Sequence, residues 1–156
     1  MRRTLIAIAG LGLASMAQAQ EVSPLNVAFD EYGEIAESLT GTPGDPAAGQ
    51  KVMATKSMGN CVACHQITGL DAAFQGTVGP SLDGAGDRWE VAQLRGIVAD
   101  AKKTFPDTVM PGFYKVQGFI RPGNAFTGKA GTEPLPPLLN ATQIEDVVAY
   151  LVTLKE

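Results

Sequence analysis

The sequence predicts an all-α domain, and three observations carry that prediction. Residues 91–101 and 144–154 each place apolar side chains at helical spacing. Each of these runs is preceded by a capping-box pattern, Asp87-Arg-Trp-Glu90 and Thr142-Gln-Ile-Glu145. No segment alternates apolar and polar residues in the manner of a half-buried strand, and no internal repeat appears.

Residues 1–19 read as a secretory signal peptide. Arg2 and Arg3 form a positive n-region, Leu5 to Leu13 a short apolar stretch, and Ala17-Gln-Ala19 a small-x-small cleavage pattern. The apolar stretch falls short of the ~20 residues that a membrane helix needs. The expectation is therefore an exported, soluble protein, periplasmic in a bacterial source, cleaved near Ala19. Loss of Arg2 and Arg3 takes the formal charge from −4 to about −6 with no basic run remaining, which argues against nucleic acid or anionic membrane as partners. The remaining ~137 residues suffice for one domain with a modest core.

Residues 20–44 read as an N-terminal extension, either a loose terminus or a segment that lies on a partner, closed by the breaker cluster Thr40-Gly-Thr-Pro-Gly44. A domain over 45–156 follows. Asp45 is the expected N-cap and Pro46 the first residue of a helix reaching Ser57. The second helix opens at the Asp87/Glu90 box, carries Val91, Leu94, Ile97, Val98 and Ala101 inward, and ends on Lys102-Lys103, which suits the negative end of the helix dipole. Residues 104–140 hold six prolines and several glycines and read as a long loop, a length usually tied to function or a partner. The last helix, capped by Thr142, presents Ile144, Val147, Val148, Leu151 and Leu154 as one apolar stripe.

All cysteine and histidine in the chain stands in a single run, Cys61-Val-Ala-Cys64-His65. C-x-x-C-H is the attachment signature of c-type haem, in which both thiols become thioethers and the adjacent imidazole an axial iron ligand. The competing readings are weaker. A thioredoxin-like pair wants a βαβ setting, a plain disulfide leaves His65 incidental, and zinc would lack its fourth ligand. The cofactor expected is one covalent haem c, held by Cys61 and Cys64 and ligated by His65.

No second histidine exists to fill the other axial position, and methionine is the usual soft alternative, one that raises the reduction potential. Met53 falls within the first helix and reads as core packing. Met58 stands three residues before Cys61, already on the attached side. Met110 follows His65 by 45 residues, in the proline-bounded segment Phe105-Pro-Asp-Thr-Val-Met-Pro-Gly-Phe-Tyr114, which can cross the far face. Met110 is the candidate ligand; a core methionine with an open or Lys-ligated iron is the alternative. A rigid prolyl loop holds a thioether alike in both oxidation states, and a six-coordinate iron favours electron transfer over oxygen chemistry. Gly79-Pro80 is either an ordinary turn or the source of a carbonyl for the His65 ring N–H. Trp89, Arg88 and Arg121 could donate to haem propionates and are equally ordinary as a core Trp and surface Arg residues.

On the first helix, the C-V-A-C-H block, Gly79-Pro80, Met110-Pro111 and the terminal helix, the chain resembles the class I cytochromes c. That resemblance implies crossed N- and C-terminal helices around one haem, Gly49 and Tyr150 packed at the crossing, and Pro80 supplying the carbonyl to His65. Met53 departs from the aromatic that many members carry in that region. A narrower resemblance, to the SoxX family of SoxXA sulfur-oxidation complexes, rests on Leu39-Thr-Gly41 with Pro43-Gly-Asp-Pro46, and on Gly59-Asn-Cys61. It also rests on Val78-Gly-Pro-Ser-Leu82 with Gly86-Asp-Arg88, Met110-Pro111 and Ile144-Glu-Asp-Val-Val-Ala-Tyr-Leu151. It implies a periplasmic heterodimer with a SoxA-like cytochrome subunit and L-cysteine S-thiosulfotransferase activity toward thiosulfate. In that scheme the substrate site and the carrier-protein cysteine lie off this chain, which has no catalytic residue and passes electrons to a small acceptor cytochrome. A free-standing soluble carrier, or a sensor with an open iron site, are the competing functions.

Overall fold

Two helices at opposite ends of the domain cross so closely that glycine is required at the contact. In the computed structural model, which describes residues 21–123 and 127–156, α1 (Pro46–Ala54) lies across α4 (Ala141–Thr153). A Cβ at Gly49 would sit 1.9 Å from the Asp146 carbonyl oxygen, and one at Gly44 would sit 2.1 Å from that of Glu145. Side chains at these positions would hold the backbones apart; without them the helices pack main chain to main chain. Tyr150 shares this crossing through a hydrogen bond with Gln50, and burial raises its hydroxyl pKa. The signal peptide expected over 1–19 lies outside the described residues.

Asp45 caps α1 as the sequence predicts, its carboxylate accepting from the Ala47 N–H at 2.9 Å while its own N–H donates to Asp146 at 2.7 Å. The helix ends at Ala54, three residues before the predicted Ser57. Thr55 stops it: the Thr55 side chain and N–H both donate back to the Lys51 carbonyl, and its backbone turns extended.

Both predicted capping boxes are displaced, and for one physical reason. α3 (Val91–Asp100) is capped by Glu90, with the Gln93 side chain accepting from the Glu90 N–H at 2.9 Å. Asp87 instead belongs to α2 (Ala85–Arg88), a single turn, and its carboxylate binds the Glu156 N–H and Lys155. In α4, Asn140 is the cap and Gln143 its partner, at 2.8 and 3.0 Å. Glu145 is drawn inward by a buried arginine. A capping pattern in sequence is a local offer, and a stronger distant partner overrides it.

That arginine, Arg95, forms a two-pronged ion pair with Glu145, Nε to Oε1 at 2.7 Å and Nη2 to Oε2 at 3.1 Å, with both side chains 6 % exposed. Arg95 also donates to the Ile35 carbonyl at 2.8 Å, and Glu145 accepts from the Leu39 N–H at 2.7 Å. Residues 21–44 are thereby pinned to α3 and α4, with Ile35 and Leu39 in the core. The Tyr114 hydroxyl donates to the Val22 carbonyl at 2.6 Å and fastens the start of the segment. Burial, with Glu21 close by, pushes the Tyr114 hydroxyl up to about 12.

Among its described residues, the stretch 104–140 forms no strand beyond an isolated bridge between Gly123 and Ala130. It still contributes Phe113, Tyr114, Val116 and Leu139 to the core, anchored by Phe113 N–H to Val98 carbonyl (3.3 Å), Tyr114 N–H to Ala99 carbonyl (3.0 Å) and Leu139 N–H to Phe113 carbonyl (2.9 Å). The predicted apolar stripe of α4 is buried at Ile144, Val147, Val148 and Leu151; in α3, Leu94 and Val98 are buried and Val91 is exposed. Among the described residues no helix is long and apolar enough to cross a membrane.

Glu145→Ala leaves the Arg95 guanidinium buried without its partner, a change expected to cost about 3–5 kcal/mol. Urea unfolding of the haem-loaded protein, followed by far-UV circular dichroism, measures it; a loss below ~1 kcal/mol would show that the ion pair does not tie these segments together.

Candidate functional site

The C-x-x-C-H run begins with a backbone reversal. Asn60, after Gly59, takes the left-handed conformation at φ 48°, and a 3-10 turn over Cys61–Ala63 follows. In such a turn, residues three apart eclipse, which brings Cys61 and Cys64 to one side. The Cys64 and His65 N–H groups both donate to the Cys61 carbonyl, at 3.1 and 2.9 Å. Neither cysteine is in a disulfide; Cys61 is half-buried and Cys64 exposed. Burial pushes the Cys61 thiol up to about 11, so as a free thiol it is neutral.

The segment 76–80 lies alongside this turn. Gly76 N–H donates to the Val62 carbonyl and Gly79 N–H to the Cys64 carbonyl, both at 2.8 Å. The Pro80 carbonyl oxygen stands 2.7 Å from His65 Nδ1, placing the Nδ1 proton in that bond and leaving Nε2 as the nitrogen with a free lone pair. Gly79 makes the approach possible: a Cβ there would lie 2.3 Å from His65 Cε1 and 2.6 Å from Nδ1. The sequence offers Gly79-Pro80 only as a turn or a carbonyl donor, so the glycine's own contact with the imidazole is found in the structure. Gly76 is likewise fixed by close approach, its Cβ position falling 2.0 Å from the Ala63 carbonyl oxygen.

Met110 is half-buried against the core, on a segment held to the end of α3. Its N–H donates to Thr108 Oγ1 at 3.2 Å, Thr108 N–H donates to the Phe105 carbonyl, and Lys102 Nζ donates to the Thr108 carbonyl. Met53 is fully buried at 1 % exposure, as expected of a core methionine, whereas Met58 is on the surface.

Arg88 has several partners within the protein. Its guanidinium donates to the carbonyls of Asp83 (2.6 Å) and Ser81 (3.0 Å) and pairs with Glu156 at 3.3 Å. The Trp89 ring meets Phe105 edge-on, with centroids 6.0 Å apart; Arg121 is exposed.

This donor set fits a c-type haem. Two unpaired thiols and a tautomer-fixed imidazole stand within five residues, at and just after one 3-10 turn, and the ring rests in a cradle that any side chain at position 79 would fill. Among the described residues no group of three His, Cys, Asp or Glu side chains is placed to hold a metal ion directly, so the zinc reading has no geometry behind it.

Comparison with known proteins points to one family. The cytochrome c family profile matches residues 46–155. A chain in the crystal structure of SoxXA from P. pantotrophus is 63% identical with a TM-score of 0.84, covering 88% of this chain and 100% of that one. The c-type cytochrome SorU from Sinorhizobium meliloti is 21% identical over 70% of this chain and 88% of its own, with a TM-score of 0.38. Among curated proteins none matches the sequence.

Gly79→Ala forces the imidazole away from the Pro80 carbonyl or shifts the 76–80 segment. The expected result is a haem-loaded protein less stable by about 1–3 kcal/mol, with an altered low-spin signal in electron paramagnetic resonance. A wild-type signal and wild-type stability would contradict the close contact.

Proposed function

The chain belongs to the cytochrome c family, and on that premise we propose that it is the monohaem electron-transfer subunit of a SoxXA-type complex that oxidises thiosulfate. It carries one covalent haem c. The observation that supports the site assignment best is the His65 Nδ1 contact to the Pro80 carbonyl, which commits Nε2 to the iron side. Cys61 and Cys64 would supply the two thioethers, and His65 and Met110 would ligate the iron. Bound in this way, the haem supplies reversible one-electron transfer.

The protein's own residues perform the rest. The Pro80 carbonyl fixes the imidazole tautomer and raises its basicity as a ligand. The proline-flanked Met110 segment is held through Thr108 to Lys102 and Phe105, in and just after the turn that follows α3, which would keep its thioether in place in both oxidation states. With both thiols bonded to haem, the chain has no cysteine left to carry sulfur. Coupling of thiosulfate to a thiol releases two electrons, and that step belongs to a SoxA-like cytochrome partner acting on a carrier-protein cysteine. This chain takes the electrons one at a time and passes them to a small acceptor cytochrome. In this reading the complex is an L-cysteine S-thiosulfotransferase, located in the periplasm after removal of the segment ending near Ala19. The near-complete match to a chain of SoxXA supports the partner assignment.

Two outcomes test the reading. Met110→Ala is expected to give a high-spin or weakly ligated iron and to lower the reduction potential by on the order of 0.1 V, within the ~0.8 V range that axial ligands span; an unchanged absorption spectrum would remove Met110 from the site. Affinity capture of the chain from native periplasm is expected to bring down one stoichiometric second cytochrome with a reactive cysteine. Recovery as a haem-loaded monomer would instead mark a free-standing carrier.

A further inference from the structure

The hydrogen bond from His65 to Pro80 is one rung of a longer register. Residues 64–68 run beside residues 79–83. Cys64 carbonyl accepts from Gly79 N–H (2.8 Å), His65 Nδ1 meets the Pro80 carbonyl (2.7 Å), and Gln66 carbonyl accepts from Leu82 N–H (2.9 Å). The register closes on a side chain. Asp83 accepts from the Thr68 N–H at 2.9 Å through Oδ1, and from the Thr68 hydroxyl at 2.6 Å through Oδ2. The Ser81 hydroxyl adds a third bond to Oδ2 at 3.0 Å. The Asp83 carbonyl is held in turn by Arg88 at 2.6 Å, and that of Ser81 by the same guanidinium at 3.0 Å.

Pro80 has its φ fixed by the pyrrolidine ring, and its carbonyl lies in the peptide plane it shares with the Ser81 N–H. The direction of its carbonyl is therefore set by its neighbours, Gly79 on one side and Ser81 to Asp83 on the other. We propose that Asp83 is a positioning residue for the haem ligand: by tying Thr68 to Ser81 it locks the 79–83 segment in register with 64–68 and so holds the Pro80 carbonyl on His65. The chemistry agrees, since a carboxylate accepting three bonds from neutral donors makes stronger hydrogen bonds than a neutral acceptor would. The hydrogen bonds from Thr68 also hold the Asp83 carboxyl below its ordinary value. The proposal rests on His65 being the haem ligand, which the low-spin spectrum of the unmodified protein checks separately.

The test compares haem-loaded wild type with Asp83→Ala, Asp83→Asn and Thr68→Val, reading the exchange rate of the His65 Nδ1 proton and the reduction potential by NMR and voltammetry. Asp83→Ala is expected to speed Nδ1 exchange about tenfold, the loss of bonds each contributing on the order of 1 kcal/mol, and to raise the potential because a looser imidazole is less basic. Asp83→Asn removes the charge but keeps an oxygen for Thr68, so its exchange should stay near wild type. Thr68→Val, which deletes the hydroxyl and is the reserve variant should Asp83→Ala fail to load haem, should fall between. Amide exchange in α4 serves as the global reference. Unchanged Nδ1 exchange in Asp83→Ala and Thr68→Val would overturn the proposal. So would equal behaviour of Ala and Asn at position 83, which would reduce the effect to charge, or an equal acceleration in α4, which would reduce it to overall stability.

Discussion

The buried pair between Arg95 and Glu145 is the constraint on which the rest of the architecture depends. Two charges taken out of water at 6 % exposure demand full hydrogen bonding. The chain provides it by bringing three separate segments to one point: α3 with the guanidinium, α4 with the carboxylate, and residues 35–39 with a carbonyl and an N–H. With α4 fixed in this way, the main-chain contacts at Gly44 and Gly49 set α1 on its other side. α1 leads into the C-x-x-C-H turn, and Gly59 N–H donates to the Val52 carbonyl, so the position of the haem attachment point descends from an interaction remote from it in sequence.

The chemistry of the site was legible before the structure because it is written in rare residues at fixed spacing. A chain with two cysteines and one histidine, all in one C-x-x-C-H run, leaves little choice of cofactor. Apolar periodicity likewise located the long helices, α3 and α4. The caps were misplaced at Asp87 and Thr142 because a carboxylate near a helix start has no local mark showing that it belongs elsewhere: Asp87 goes to the chain's last residues and Glu145 to Arg95. The end of α1 was missed for a related reason, since Thr55 halts it through a side-chain bond to Lys51 that propensity does not register. Arg88 offers the same lesson. In sequence it reads as a candidate propionate donor or an ordinary surface arginine, and nothing local shows that its donors hold the Ser81 and Asp83 carbonyls and Glu156.

Function follows from how completely the reactive groups are committed. Both thiols and the only imidazole belong to one turn, and no cluster of ionisable residues elsewhere among the described residues is arranged to hold a metal. The cytochrome c family and the match to a chain of SoxXA make electron transfer its role. The long 104–140 stretch is tied into the same fold. The Met110 segment is tied on its N-terminal side through Thr108 to Phe105 and Lys102, and on its C-terminal side by Phe113 and Tyr114 to α3, so it is a braced span despite its lack of regular structure.

The extension before α1 bears on where this protein may be cut. The family match begins at Pro46, yet Ile35 and Leu39 are core residues, and their backbone groups complete the solvation of the Arg95–Glu145 pair. The start of the family profile and the boundary of the foldable unit are thus different positions in the chain. An expression fragment trimmed to the recognisable domain would open a hole beside α3 and leave two interior charges short of partners. The family profile spans the part that carries the C-x-x-C-H run; residues that complete the core lie upstream of it.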